Sequence, residues 1–372
     1  MNFGFTEEQE LLREEVRKFL DASCPLEEVR KISEAEGGPG YAPELWKQIA
    51  ELGWLGLLVP EEHGGAGLGF EDLVVVLEET GRSLFPSPLL SNTLAALALR
   101  DAGSEAQQAR WLPALADGTS IGTLAVLEPG DTPGVEGVQL AAAPHGQGVT
   151  LSGEKHFVCD AAAADLFVTA FRRDGELALA LVEKQTPGVT AEDWPGIDLT
   201  KRLGRLRLEG VTLPADAILP GGDAAALARL LDAGATAITA EAVGATEAAL
   251  ALTAGYAKQR IQFGHPIGQY QGVKHPLAEM YVDVESFKSL TYYAAWCLDQ
   301  RHPDTPLAAS RAKAYASEVF PRIGIDTVGL HGGIGYTWEY DAHLFLKRAK
   351  WVRPIFGDAD YHYERVATLG GL

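Results

Sequence analysis

Residues Tyr256 to Met280 read YAKQRIQFGHPIGQYQGVKHPLAEM. A helical pattern ends at Arg260, Phe263-Gly264 marks a turn, and Gln271 opens the next helical pattern. The stretch is therefore a helical hairpin with an arginine at its bend. An arginine there can pair with phosphate through two nitrogens, Phe263 can stack on a planar ring, and Gln271 can bond ribose or adenine edges. Alternatively, Arg260 caps the carbonyls of its own helix.

Working outward, long helical patterns occupy about 224–258, 273–299 and 306–330, with a shorter one near 341–350. Pro276 fits the first turn of the second, and Pro321 should kink or divide the third. Between Gly122 and Leu219 the period changes to short strand-like runs, GTLAVL, VTLSGEKHFV, LFVTAFR, LALALVE and LEGVTLP. Asp174-Gly175 between two of these is a hairpin signal. The segment EPGDTPGVEG, Glu128 to Gly137, is loop. Upstream, Thr6 and Gln9 form a capping-box signature ahead of Leu12, Val16, Phe19 and Leu20, and helical patterns recur at Pro43 to Glu51, Glu71 to Gly81 and about Pro88 to Asp101. The expected fold is α+β, with an N-terminal helical domain (1–120), a middle β-barrel or sandwich domain (121–220) and a C-terminal four-helix bundle (221–372).

Composition narrows the function classes. The 372 residues carry 51 acidic and 31 basic side chains, a formal charge of −20, which argues against nucleic acid or an anionic membrane as partner. The three cysteines, Cys24, Cys159 and Cys297, match no metal spacing and leave one unpaired in any disulfide scheme, which fits a reducing cytoplasm. The opening MNFGFTEEQELLREEVRKFL lacks the pattern of a secretion signal, and no apolar run reaches membrane-span length, so a soluble protein is expected.

The hairpin's R-x-Q-F-G-x-P-I turn leading to Q-x-V-K-H-x-L-A-E-M resembles the flavin-binding hairpin of the acyl-CoA dehydrogenase family. GLHGGIGYTWEYDAHLFLKRAK, Gly329 to Lys350, resembles that family's C-terminal glycine motif, and LGWLGLLVPEEHGGAGLGFEDLVVVLEETGR, Leu52 to Arg82, its N-terminal signature. The resemblance implies FAD as cofactor, with Arg260, Phe263, Gln271, Gly332 and Gly333 reaching the FAD of a neighbouring subunit. It also implies an acyl-CoA substrate and an electron-transfer flavoprotein as acceptor. The assembly implied is a homotetramer, or an α2β2 heterotetramer with a related chain.

The implied reaction is α,β-desaturation of an acyl-CoA thioester, in which a carboxylate removes the α-proton. Many members carry that base in a Y-E-G motif after the glycine pair; here the register puts Phe356 in its place. Other members supply a Glu from the first long C-terminal helix at a position near Gly234 here. Glu241 lies seven residues on along the same face, in the apolar stretch ATAITAEAVGA, and is the candidate base; Asp358 is the runner-up. The family's T-E-P-x-x-G-S-D and W-I-T-N stretches correspond to LEPGDTPG and FVCD, so that Leu127 and Cys159 replace hydroxyl side chains facing the flavin. Gly329 stands where a family Gln contacts FAD. Backbone amides can serve in their place. Three readings follow: a self-sufficient dehydrogenase, one subunit of an α2β2 enzyme for a bulky substrate such as a steroid side-chain acyl-CoA, and a flavin oxidase on the same scaffold.

Overall fold

The structure is a computed structural model that describes residues 4–372; Met1 to Phe3 lie outside the described residues. Helices α1 (Glu7–Ser23), α2 (Leu26–Glu34), α3 (Pro43–Glu51), α4 (Phe70–Arg82), α5 (Leu89–Ala102) and α6 (Glu105–Ala116) come first. Strands β1 (Gly122–Ala125), β2 (Ala143–His145), β3 (Gly148–Cys159), β4 (Leu166–Arg173), β5 (Glu176–Glu183), β6 (Val189–Trp194) and β7 (Leu203–Leu213) follow. Then come α7 (Ala224–Gln259), the two-residue strands β8 (Ile261–Gln262) and β9 (His265–Pro266), α8 (Gln271–Asp299), α9 (Thr305–His331), α10 (Ala342–Val352) and α11 (Ala359–Gly370).

Local chemistry fixes many of these ends. Thr6 and Gln9 make the reciprocal capping box expected for α1, and Ser104 with Gln107 makes a second at α6, a helix that the sequence pattern did not disclose. Asp358 caps α11 by accepting from Tyr361 N. At Asp174-Gly175 and again at Phe263-Gly264, both turn residues have positive φ, the backbone of a tight two-residue hairpin whose twist matches its strands.

Two helical expectations need correction. Pro321 does not divide the third long C-terminal helix, because α9 runs unbroken from Thr305 to His331. Pro321 is buried there beside Phe320 and Ile323, and packing outweighs the one lost hydrogen bond. Pro276 lies in the second turn of α8, not the first, since that helix already opens at Gln271.

Packing divides the chain into two compact units that do not follow chain order. One is helical: residues up to Lys31, Phe70–Phe85 and Ala235–Leu372, holding α1, α4, most of α7, and α8 to α11. The other, Ile32–Gly69 with Pro86–Gly234, holds α3, α5, α6 and the strands β1 to β7. In the second unit a three-stranded sheet, β1-β4-β5, faces a four-stranded one, β2-β3-β7-β6. Phe167, Phe171 and Val182 of the first pack with Leu151, Leu206 and Val211 of the second in one core, which makes a sandwich.

In the helical unit α4 and α7 meet backbone to backbone. A Cβ on Gly81 would fall 1.9 Å from the Glu241 carbonyl oxygen, and one on Gly244 would fall 1.8 Å from that of Glu78. Only glycine permits that approach, and it fixes which residues of α7 face α4.

Candidate active site

The bend after α7 presents its residues outward. Arg260 follows the last helical residue, with its N–H donating to Tyr256 O at 2.8 Å, and its side chain is exposed. Phe263, at φ 51°, is 91% exposed, and the Tyr270 hydroxyl braces the turn by donating to Gln262 O at 2.9 Å. Gln271 is exposed at the first position of α8. An exposed arginine and phenylalanine on a rigid turn form a surface suited to a phosphate and a planar ring, as the resemblance implies.

The glycine pair lies close by. Gly332 ends α9 at φ 64°, and a Cβ on Gly332 or Gly333 would meet nothing within 4 Å. His331, just before it, is buried, and its ring lies 4.5 Å from Tyr256 and 4.8 Å from Tyr340. Tyr256 is one turn ahead of Arg260, so the arginine bend and the glycine turn are joined through a cluster of tilted rings. His331 Nδ1 donates to Thr327 O at 2.6 Å, which leaves Nε2 as a buried acceptor with no hydrogen-bond partner among the described residues. Burial pushes its pKa down, so the ring stays neutral near pH 7. An orphaned buried acceptor beside an open glycine backbone fits a ligand carrying hydroxyl donors and phosphates, and FAD carries both. Sequence reasoning missed Tyr256 and His331; an aromatic one turn before the arginine and a histidine abutting the glycines were the available signals.

Glu241 lies elsewhere in the helical unit. It is 3% exposed on α7, with Oε2 3.8 Å from Nη1 of Arg348, itself 1% exposed on α10. Arg348 also donates to Leu84 O at 3.4 Å. This pairing gives a reason for a carboxylate in an alanine-rich helix without catalysis, since buried charges are kept where an opposite charge meets them.

The turn between α10 and α11, which carries Phe356, is held from inside. Lys313 on α9 is fully buried, and its Nζ donates to Ser317 Oγ at 2.8 Å, Arg353 O at 2.9 Å and Gly357 O at 2.7 Å. His362 Nε2 donates to Phe356 O at 2.9 Å, and Asp358 caps α11 through Tyr361 N at 3.0 Å. Phe356 and Gly357 have φ of 59° and 97°, so the turn is strained and over-determined. Both candidate carboxylates thus have structural partners.

This turn predicts a pH response. Burial, helped by Lys313, pushes the His362 pKa down to about 3. The unfolded chain therefore takes up this proton before the folded one does, and the contribution is complete above the ordinary histidine pKa and lost as pH falls towards 3. We expect wild-type stability to drop between about pH 6.5 and pH 3, with His362→Gln flattening that limb by on the order of 3 kcal/mol in urea melts across the window. An unchanged acid limb in the variant would refute it.

In the β-strand unit, the segment matching W-I-T-N is strained and pinned. Phe157 and Asp160 have φ of 51° and 53°. Thr123 Oγ1 donates to Cys159 O at 2.7 Å and Ser91 Oγ to Asp160 Oδ2 at 2.6 Å. Phe157 is 43% exposed, edge-on to Trp194 at 5.6 Å. Among the described residues no group of acidic, histidine or cysteine side chains could hold a metal ion, and no helix is long and apolar enough to cross a membrane.

Comparison with known proteins identifies the family. Residues 6–119 match the family described as acyl-CoA dehydrogenase, N-terminal domain, and residues 221–369 the acyl-CoA dehydrogenase, C-terminal domain. The acyl-CoA dehydrogenase IpdE2 of Mycolicibacterium smegmatis is 35% identical over 353 residues, covering 95% of each chain. A variant of the steroid acyl-CoA dehydrogenase named Tcur3481-Tcur3483 superposes with a TM-score of 0.89 at 32% identity over 98% of each chain. A glutaryl-CoA dehydrogenase from Mycobacterium smegmatis in complex with FADH2 gives 0.91 at 26% identity, covering 99% of this chain and 96% of that one. With helical N- and C-terminal regions on either side of β-sandwich strands in the sequence, an arginine bend joined to a glycine turn, and relatives matched over nearly their whole length, the chain is a FAD-dependent oxidoreductase that belongs to the acyl-CoA dehydrogenase family.

Proposed function

We propose that this chain takes part in α,β-desaturation of a bulky acyl-CoA thioester as one of two related subunits sharing a composite site. The carrying observation is the state of the carboxylates: Glu241 faces Arg348 at 3.8 Å and Asp358 is a helix cap, while the family resemblance puts Phe356, which has no carboxylate, in the register of the usual base. That arrangement supports a base supplied by the related chain, and the steroid enzyme that superposes here, whose name joins two designations, supports both the pairing and the bulk of the substrate. The chemistry that FAD would supply when bound is acceptance of the β-hydrogen as hydride, for onward transfer of the electrons to an electron-transfer flavoprotein. The residues of this chain bind and orient: Arg260 meets phosphate, Phe263 a ring face, Gln271 a sugar or base edge, and Gly332 and Gly333 let backbone approach. Assembly into a tetramer in the cytoplasm follows from the same reading.

A self-sufficient dehydrogenase using Glu241 is the second reading, favoured by the burial of that carboxylate on α7. Purified alone, the chain is mixed anaerobically with a panel of acyl-CoAs, including steroid side-chain thioesters, while the flavin band is followed. The composite reading expects no bleaching until the related chain is added. Bleaching by the chain alone, abolished in Glu241→Gln with FAD still bound and stability kept, would establish Glu241 as the base and end the composite reading. Faster reduction of oxygen than of an artificial acceptor would instead mark an oxidase.

A further inference from the structure

In the β-strand unit two cationic side chains grip one loop from its two limbs. Lys155 on β3 is fully buried, and its Nζ donates to Val126 O at 3.1 Å and Glu128 Oε1 at 2.7 Å. The same Glu128 oxygen accepts the N–H groups of Gln139 at 3.0 Å and Leu140 at 2.9 Å. One carboxylate therefore ties the start of the loop to its end. Arg172 on β4 holds the outer limb, with Nε donating to Val138 O at 2.8 Å and Nη2 to Val135 O at 3.1 Å. Within these anchors the loop folds on itself, because a Cβ on Gly137 would fall 1.8 Å from Thr132 O.

A buried ammonium is costly, and burial lowers the Lys155 pKa while Glu128 raises it part of the way back. A segment that only joined β1 to β2 could close with ordinary turn residues. What the buried pair secures is a single loop conformation that solvent does not loosen. The loop is also hydrogen-bonded to the strained, bulged end of β3: His156 N–H donates to Leu127 O at 2.8 Å, and Phe157 and Asp160 follow at positive φ. Strain of that kind persists where the surroundings over-determine it, and it gathers at functional segments.

We propose that Lys155 and Glu128 are positioning residues for FAD, holding the loop 126–140 and the bulged end of β3 together with Asp160 (156–160) as one rigid piece. Its backbone and Phe157 then meet the flavin without the hydroxyls that Leu127 and Cys159 do not supply. The proposal rests on the reading that FAD lies against this face of the β-strand unit. Preorganised backbone donors hold a ligand without an ordering cost at binding, and supporting residues behind such a site have effects far larger than their distance suggests.

The test uses the full chain, in whatever assembly it forms, stripped of flavin and titrated with FAD by fluorescence quenching, with thermal melts of each apoprotein. Lys155→Met should weaken FAD binding by about tenfold or more and lower the melting temperature. The double variant K155M/E128L should recover much of the melting temperature, since a buried ion pair can be replaced by apolar side chains. Its FAD affinity should stay about tenfold below wild type. Arg172→Met, at a half-buried position, tests the other limb and should weaken FAD several-fold even if the Lys155 variants do not fold. Recovery of both stability and FAD affinity in the double variant, or wild-type affinity in all three, overturns the proposal. A wild-type chain that folds but quenches no FAD overturns the underlying reading as well, and its lack of signal at every titration point tells that failure apart.

Discussion

Gly244→Ala is expected to lower the stability of the helical unit by about 3 kcal/mol or more, read as a fall in the urea midpoint. The added methyl has no side chain to push aside: it would sit 1.8 Å from the backbone oxygen of Glu78, and α4 would have to move as a body. Gly81→Ala meets the Glu241 carbonyl at 1.9 Å and should behave alike. Gly255→Ala on the same α7 is the control, because its Cβ would meet nothing within 4 Å. Alanine favours helix over glycine, so this variant should be neutral or more stable by about 0.5–1 kcal/mol. Equal losses at Gly244 and Gly255 would show that helix propensity, not the α4–α7 contact, governs the response.

The second large effect is expected at Arg348. Replacing it by methionine removes the guanidinium facing Glu241 inside the bundle, a change that costs about 3–5 kcal/mol at other buried pairs. The double variant Glu241→Leu with Arg348→Met should regain most of that loss, since the two changes remove opposite charges together. Additive losses in denaturant melts would mean that the two side chains act independently, and the structural role assigned to the pairing would fail.

How far the sequence disclosed this arrangement depended on the range of the interaction. The Phe263-Gly264 hairpin, the Thr6 capping box and the switch from helical to strand period are local, set within a few residues, and each stands where its pattern put it. Pro321 misled because its penalty is local while the compensating burial of α9 is tertiary. Glu241 shows the same limit at the candidate site. Its isolation among alanines signalled a special role, but Arg348 lies more than a hundred residues on, and no spacing links them. The Lys155 and Glu128 pair was hidden for the opposite reason: a lysine on a strand and a glutamate before a loop look solvated until both strands are in place.

Phe263 stands on a turn whose two residues already have the backbone angles of a tight hairpin, tied by its tyrosine brace. The entropy of ordering that tip is therefore surrendered during folding of the single chain. If a second subunit docks on this tip, as the proposed shared site requires, the hairpin itself would need no slow rearrangement, and collision and orientation would set the rate.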